Sequence, residues 1–193
     1  MRLKNERLGF YLHSSELSYG SGSGQQIVTG FDGDHDYNSL WTVKEQEEDN
    51  TSMCRTGTKI KCGDKIRLEH MNTQKNLHSH SNFASPVTGR QEVSAFGNSG
   101  DGDGGDNWEI ECDSDDVNGY VYGKTKFYLK HKDTGLYLFT DNGSKYNEHN
   151  CRRCPIVGHS EISSIRGKIR NGALWKIHSG FFFPDVEESN SEY

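Results

Sequence analysis

The chain has 193 residues, 31% of them apolar and 11% aromatic, enough for one compact domain with its own core. A formal net charge of −6 argues against nucleic-acid binding, which needs concentrated Lys and Arg, and no apolar run is long enough for membrane insertion as a helix. The 22 glycines, scattered Ser and Asx residues and only three prolines separate short β-branched and aromatic segments, so the fold class is read as all-β.

The start, MRLKNERLGF, has neither the apolar stretch nor the small-residue cleavage site of a signal peptide. Next comes SYGSGSGQQIVTGF, in which Gly20, Gly22 and Gly24 fit neither nucleotide-loop spacing, leaving a turn between strands or a ligand loop with Tyr19 beside it. Shifting the chain by 65 positions then lays Leu3 to Phe31 on Leu68 to Phe96 without a gap. Identities include Leu12/Leu77, His13/His78, Gly24/Gly89 and Val28/Val93. A fainter third copy runs from Tyr128 through Leu129, His131 and Leu138.

Each copy closes on a Trp-x-aliphatic element, at Trp41, Trp108 and Trp175. Residues i and i+2 of a strand share a face, so each tryptophan points inward with the aliphatic residue after it. Four short strands per copy predict a β-trefoil of three repeats of about 65 residues with internal pseudo-threefold symmetry. The expected repeats are residues 1–46, 54–112 and 113–178, in a single cooperative domain with a tail over 179–193. The predicted core is Leu12, Val28, Trp41, Leu68, Leu77, Val93, Trp108, Leu129, Leu138 and Trp175. Propeller blades of about 40–45 residues do not match the period.

The segments TGTKIKCGDKIRLEHMNTQKNLHSH, SPVTGRQEVSAFG and YGSGSGQQIVTG closely resemble the stromal-cell-derived factor 2 family, proteins of three MIR motifs. MIR motifs also occur in protein O-mannosyltransferases and in intracellular calcium-release channels. The resemblance implies a protein of the endoplasmic-reticulum lumen that works with a J-domain co-chaperone on nascent secretory proteins, in glycoprotein folding, quality control and the unfolded-protein response. The family usually carries a signal peptide and a KDEL-like tail, whereas this chain ends SNSEY. A family cysteine would fall ahead of Met1, which implies that a first strand has been trimmed and Met1 added.

Of the five cysteines, Cys62 opens the second repeat and Cys112 closes it, so a bridge between them would staple that unit in an oxidising compartment. Cys54 is then the stranded partner of the trimmed cysteine. Cys151 and Cys154, in CRRC, read as loop cysteines bridged locally rather than as a redox or zinc motif. His78 and His80 share a strand face as a metal pair would, but His13 recurs without a second histidine, which favours structural hydrogen bonding. The acidic loops DGDHDYNSLW and GNSGDGDGGDNW, the latter with Asp101, Asp103 and Asp106, read as solvated loops and not as calcium sites, because Gly105 and Cys112 stand where oxygen ligands are required. Glycosylation sequons at Asn50 and Asn142 are permissive only.

No catalytic, metal or cofactor constellation emerges from these motifs. The expected function is a non-enzymatic binding module. The alternative is a mannose-type lectin that grips glycans with Tyr19, Gly20, Gly22 and Gly24.

Overall fold

The computed structural model describes residues 1–46, 58–113 and 119–180; Cys54, the sequon at Asn50 and most of the tail lie outside the described residues. Twelve strands run in order: β1 (Arg2–Asn5), β2 (Tyr11–Ser18), β3 (Gln26–Phe31), β4 (Trp41–Glu45), β5 (Lys65–His70), β6 (Asn76–Ala84), β7 (Gln91–Phe96), β8 (Trp108–Cys112), β9 (Lys126–His131), β10 (Tyr137–Lys145), β11 (Ser160–Ile165) and β12 (Trp175–Ser179). The fold is all-β, with a single helical turn at Arg170–Ala173 among the described residues besides two 3-10 turns.

Six strands close into a barrel: β4 pairs with β5, β5 with β8, β8 with β9, β9 with β12 and β12 with β1. The seam between β1 and β4 is sealed by Met1, whose amino group donates to the Trp41 carbonyl at 2.5 Å while Trp41 N donates to the Met1 carbonyl at 2.8 Å. The remaining strands form the hairpins β2–β3, β6–β7 and β10–β11. Their second strands join edge to edge, β3 with β7, β7 with β11 and β11 with β3.

Alternation sets the core. In β5, Ile66, Leu68 and His70 point inward between more exposed neighbours, and Trp108 and Ile110 do the same in β8. Leu12, Val28, Trp41, Leu68, Leu77, Val93, Trp108, Leu129, Leu138 and Trp175 lie in one cluster, each 0% exposed. Truncating one such tryptophan to alanine typically costs about 3–5 kcal/mol. Each indole also satisfies its polar atom: Nε1 donates to the carbonyl of Leu12 (2.9 Å), Leu77 (2.9 Å) and Leu138 (3.2 Å) respectively.

The residue two beyond the first leucine of each unit is polar and buried. Asn5 Nδ2 donates to Gly172 O at 2.8 Å, His70 Nε2 to Asn38 O at 3.0 Å and His131 Nε2 to Gly105 O at 2.9 Å. These bonds lock a barrel strand to the turn that precedes a tryptophan, so the turn's position is set by the core beneath it.

Cys62 and Cys112 are bridged, with Cα atoms 5.6 Å apart, and Cys151 is bridged to Cys154. No helix among the described residues is long and apolar enough to cross a membrane.

Candidate functional site

The glycine-rich segment is a hairpin turn between β2 and β3, and it turns its aromatic residue inward. Tyr19 is only 5% exposed; its ring packs with Ile27, Tyr146 and Ile156 and its hydroxyl donates to the Val93 carbonyl at 2.9 Å. The ring expected to stack on a sugar therefore presents no face to a ligand. Gly20 and Gly24 are exposed and have open space where a side chain would begin. Gly22 has φ +67° and meets the Glu92 carboxylate, which also accepts from Ser23.

A shallow, open concavity lies along β6, where His78, His80, Asn82, Phe83, Asp103 and Asp133 line a cleft of about 460 Å³. Its floor is Gly104 and Gly105 of the 3-10 turn Gly104–Asp106, whose N-terminus carries a reciprocal pair of carboxylate caps. Asp103 Oδ1 accepts from Gly105 N at 2.8 Å, and Asp106 Oδ2 accepts from Asp103 N at 2.9 Å. Gly105 is glycine for a steric reason: a Cβ there would stand 2.5 Å from His78 Cε1 and 2.9 Å from the Ser79 carbonyl.

That close approach buries His78, 3% exposed, against Asp106, 0% exposed, with Nδ1 donating to Oδ1 at 3.0 Å. Asp103 Oδ1 lies 3.5 Å from the same nitrogen. The expectation of a solvated acidic loop is thus corrected for Asp106, because the glycines beside it let the chain fold over its carboxylate. His80 stands edge-on to His78 and to Phe83, at centroid distances of 5.1 and 4.8 Å. Burial, then the neighbouring His78, lowers its pKa below the ordinary histidine value.

A related cluster occupies the corresponding corner of the first unit. His13 Nδ1 donates to Asp36 Oδ2 at 2.7 Å, and Ser39 donates to the same oxygen at 2.7 Å. Burial pulls the Asp36 carboxyl up, but the bonds from Ser39 and His13 outweigh it and hold it below the usual range. The first acidic loop is therefore also partly packed rather than simply solvated. His159 stacks on Phe31 at 4.5 Å, and burial and nearby His13 push its pKa down to about 4. In the third unit Phe139 and Ala173 pack together at the same corner, with no His-Asp pair and with the Arg90 guanidinium over the Phe139 ring at 4.8 Å.

Of the three histidines singled out in the sequence, His13 and His78 are hydrogen-bonded to carboxylates, whereas His80 Nδ1 accepts from Asn82 N at 3.3 Å. What sequence reading missed was Phe83, Asp133 and the burial of Asp106; the one available signal was the Gly104-Gly105 pair directly before Asp106.

The MIR domain family matches residues 9–152. Human stromal cell-derived factor 2 is 40% identical over 195 residues, covering 100% of this chain and 83% of that protein. The crystal structure of the SDF2-like protein from Arabidopsis thaliana superposes with a TM-score of 0.85 at 37% identity, covering 96% of this chain and 95% of the other. A chain of the S. cerevisiae protein O-mannosyltransferase complex bound to its sugar donor matches at a TM-score of 0.77 and 29% identity, over 96% of this chain and 25% of that one.

Proposed function

The chain belongs to the MIR-domain family of stromal cell-derived factor 2, and on that premise we propose that it is a non-enzymatic binding module of the endoplasmic-reticulum lumen. It works there as a subunit beside a J-domain co-chaperone, engaging nascent secretory glycoproteins during folding and quality control. Relatedness along the full chain carries this reading. The Cys62–Cys112 and Cys151–Cys154 bridges support it, since such bonds persist in oxidising compartments.

The architecture proposed with it is a β-trefoil of three repeats spanning about 1–46, 54–112 and 113–178. In its support, each unit supplies two barrel strands and one hairpin, and the three hairpins pair with one another in a closed triangle.

A second reading, glycan binding, is favoured by the β6 cleft rather than by the Tyr19 turn. Phe83 offers a partly exposed ring beside Asn82, Asp103 and Asp133, and an aromatic face flanked by carboxylate and amide acceptors suits sugar hydroxyls.

Capture from a lumenal extract separates the two readings. The immobilised chain is expected to retain a J-domain protein after enzymatic deglycosylation and in the presence of free mannose. Loss of all capture on sugar removal would overturn the chaperone-subunit reading, and Phe83→Ala would then be expected to abolish glycan binding.

A further inference from the structure

We propose that His78, Asp103 and Asp106 form a binding site for a divalent metal of borderline character, such as Zn²⁺, at the floor of the β6 cleft. Among the described residues this is the single set of three such side chains whose ligand atoms converge, all within 4.8 Å of one another. A tetrahedral ion with bonds of about 2.0–2.2 Å places its ligands roughly 3.3–3.6 Å apart. His78 Nδ1 lies 3.0 Å from Asp106 Oδ1 and 3.5 Å from Asp103 Oδ1, so two of the three donor pairs already stand near the edges of such a site. The metal takes the place of the Nδ1 proton, which leaves to solvent.

The surroundings fit a ligand shell. Asp106 Oδ2 is held by Asp103 N and by Asn76 Nδ2 (3.3 Å), which leaves Oδ1 directed at His78. Asn76 itself is 0% exposed; its Nδ2 faces Asp106, and its Oδ1 has no hydrogen-bond partner. Asp103 is the open member, with its side chain 55% exposed, so an ion can enter from the cleft, where His80 and Asp133 also stand.

The third unit shows that the fold does not need a His-Asp pair at this corner, since Phe139 and Ala173 fill it there, with the Arg90 guanidinium over the ring at 4.8 Å. Burying a carboxylate and an imidazole where apolar packing serves is costly unless they are held together or bind something. One imidazole nitrogen with two carboxylate oxygens favours Zn²⁺ and similar ions over Ca²⁺ and Mg²⁺, which prefer all-oxygen shells.

The test is a competition titration of the untagged, oxidised chain with Zn²⁺ against a chromophoric chelator. One Zn²⁺ per chain is expected, with affinity at least about tenfold weaker in Asp103→Asn, which keeps an N-cap side chain and the fold. His78→Asn, whose amide can still donate to Asp106 Oδ1, should weaken binding at least as much as Asp103→Asn while circular dichroism stays native. Asp36→Asn, in the first unit's His-Asp pair, should leave it intact. Absence of saturable Zn²⁺ binding at 100 μM (on the order of the weakest useful site), or unchanged affinity in Asp103→Asn, overturns the proposal; so does equal loss in Asp36→Asn.

Discussion

The turns of the first two hairpins and that of the third are held by opposite chemistry at one shared position, the second residue of β3, β7 and β11. Glu92, on β7, grips the turn after β2 through Ser23, and Glu161, on β11, grips the turn after β6 through Val87 N (2.8 Å) and Thr88 Oγ1 (2.5 Å). Ile27, on β3, meets the third turn instead, packing with Tyr146 and Ile156 beside the Cys151–Cys154 bridge. A buried position can thus be filled by a carboxylate only where backbone and hydroxyl donors converge on it. Where donors are lacking, apolar packing and a covalent tie do the same work.

Breaking the carboxylate clamp at Glu161 should have the largest effect. Glu161, 1% exposed, changed to Ala strips Val87 N and Thr88 of their acceptor. A loss of about 3 kcal/mol is expected in urea unfolding, with Glu161→Gln losing about half as much. A loss under 0.5 kcal/mol for the alanine variant would mean that water replaces the carboxylate and that no clamp exists.

Next in size is Gly22→Ala, where both φ +67° and a Cβ 2.1 Å from Glu92 Oε2 oppose the side chain. About 2 kcal/mol is expected, against under 0.5 kcal/mol for Gly20→Ala two residues earlier. Equal melting temperatures for the two would show that the turn is not pinned at Gly22.

Replacing Cys151 and Cys154 by serine removes the covalent tie of the third turn. The loop it closes is short, with a sequence separation of 3, so about 1–2 kcal/mol is expected, confined in hydrogen exchange to residues 146–158. If residues 85–90 lose protection equally, the turns are not separately held.

The smallest effect is acid sensitivity next to the third turn. His159 titrates at about 4 when folded and near 6.5 when unfolded, so the unfolded chain takes up a proton first as pH falls. Its contribution is present above pH 6.5 and is lost between about 6.5 and 4. The partly exposed ring makes this about 1 kcal/mol. His159→Gln should flatten the stability profile across that window; an unchanged slope would assign it to buried His70 and His131, whose pKa values burial also lowers.

The recurring leucines and tryptophans were legible because the shared core asks for the same apolar volume in every unit, and Leu12, Leu77 and Leu138 all meet that demand. The pairing of Cys62 with Cys112 was legible from their places at the ends of one unit. Glu92 and Glu161 were not, because a carboxylate between polar and apolar strand residues reads as surface until its donors, about 70 residues away, are placed against it. The mismatch of Ile27 with Glu92 in the aligned copies was the visible hint. Tyr19 misled because its loop is exposed while its ring folds back under the turn. The third copy was faint for a physical reason as well: Phe139 replaces the histidine that makes the first two resemble each other.

Residues 1 and 180 nearly touch, a Cβ on Gly180 standing 3.0 Å from that of Met1, because β1 and β12 are partners in the barrel. The backbone path is therefore a loop with a stitch in it, and the stitch has no privileged place. A circularly permuted chain, joined from 180 to 1 through a short linker and opened between 46 and 58, would trace the same ring with β5 as its first strand and β4 as its last.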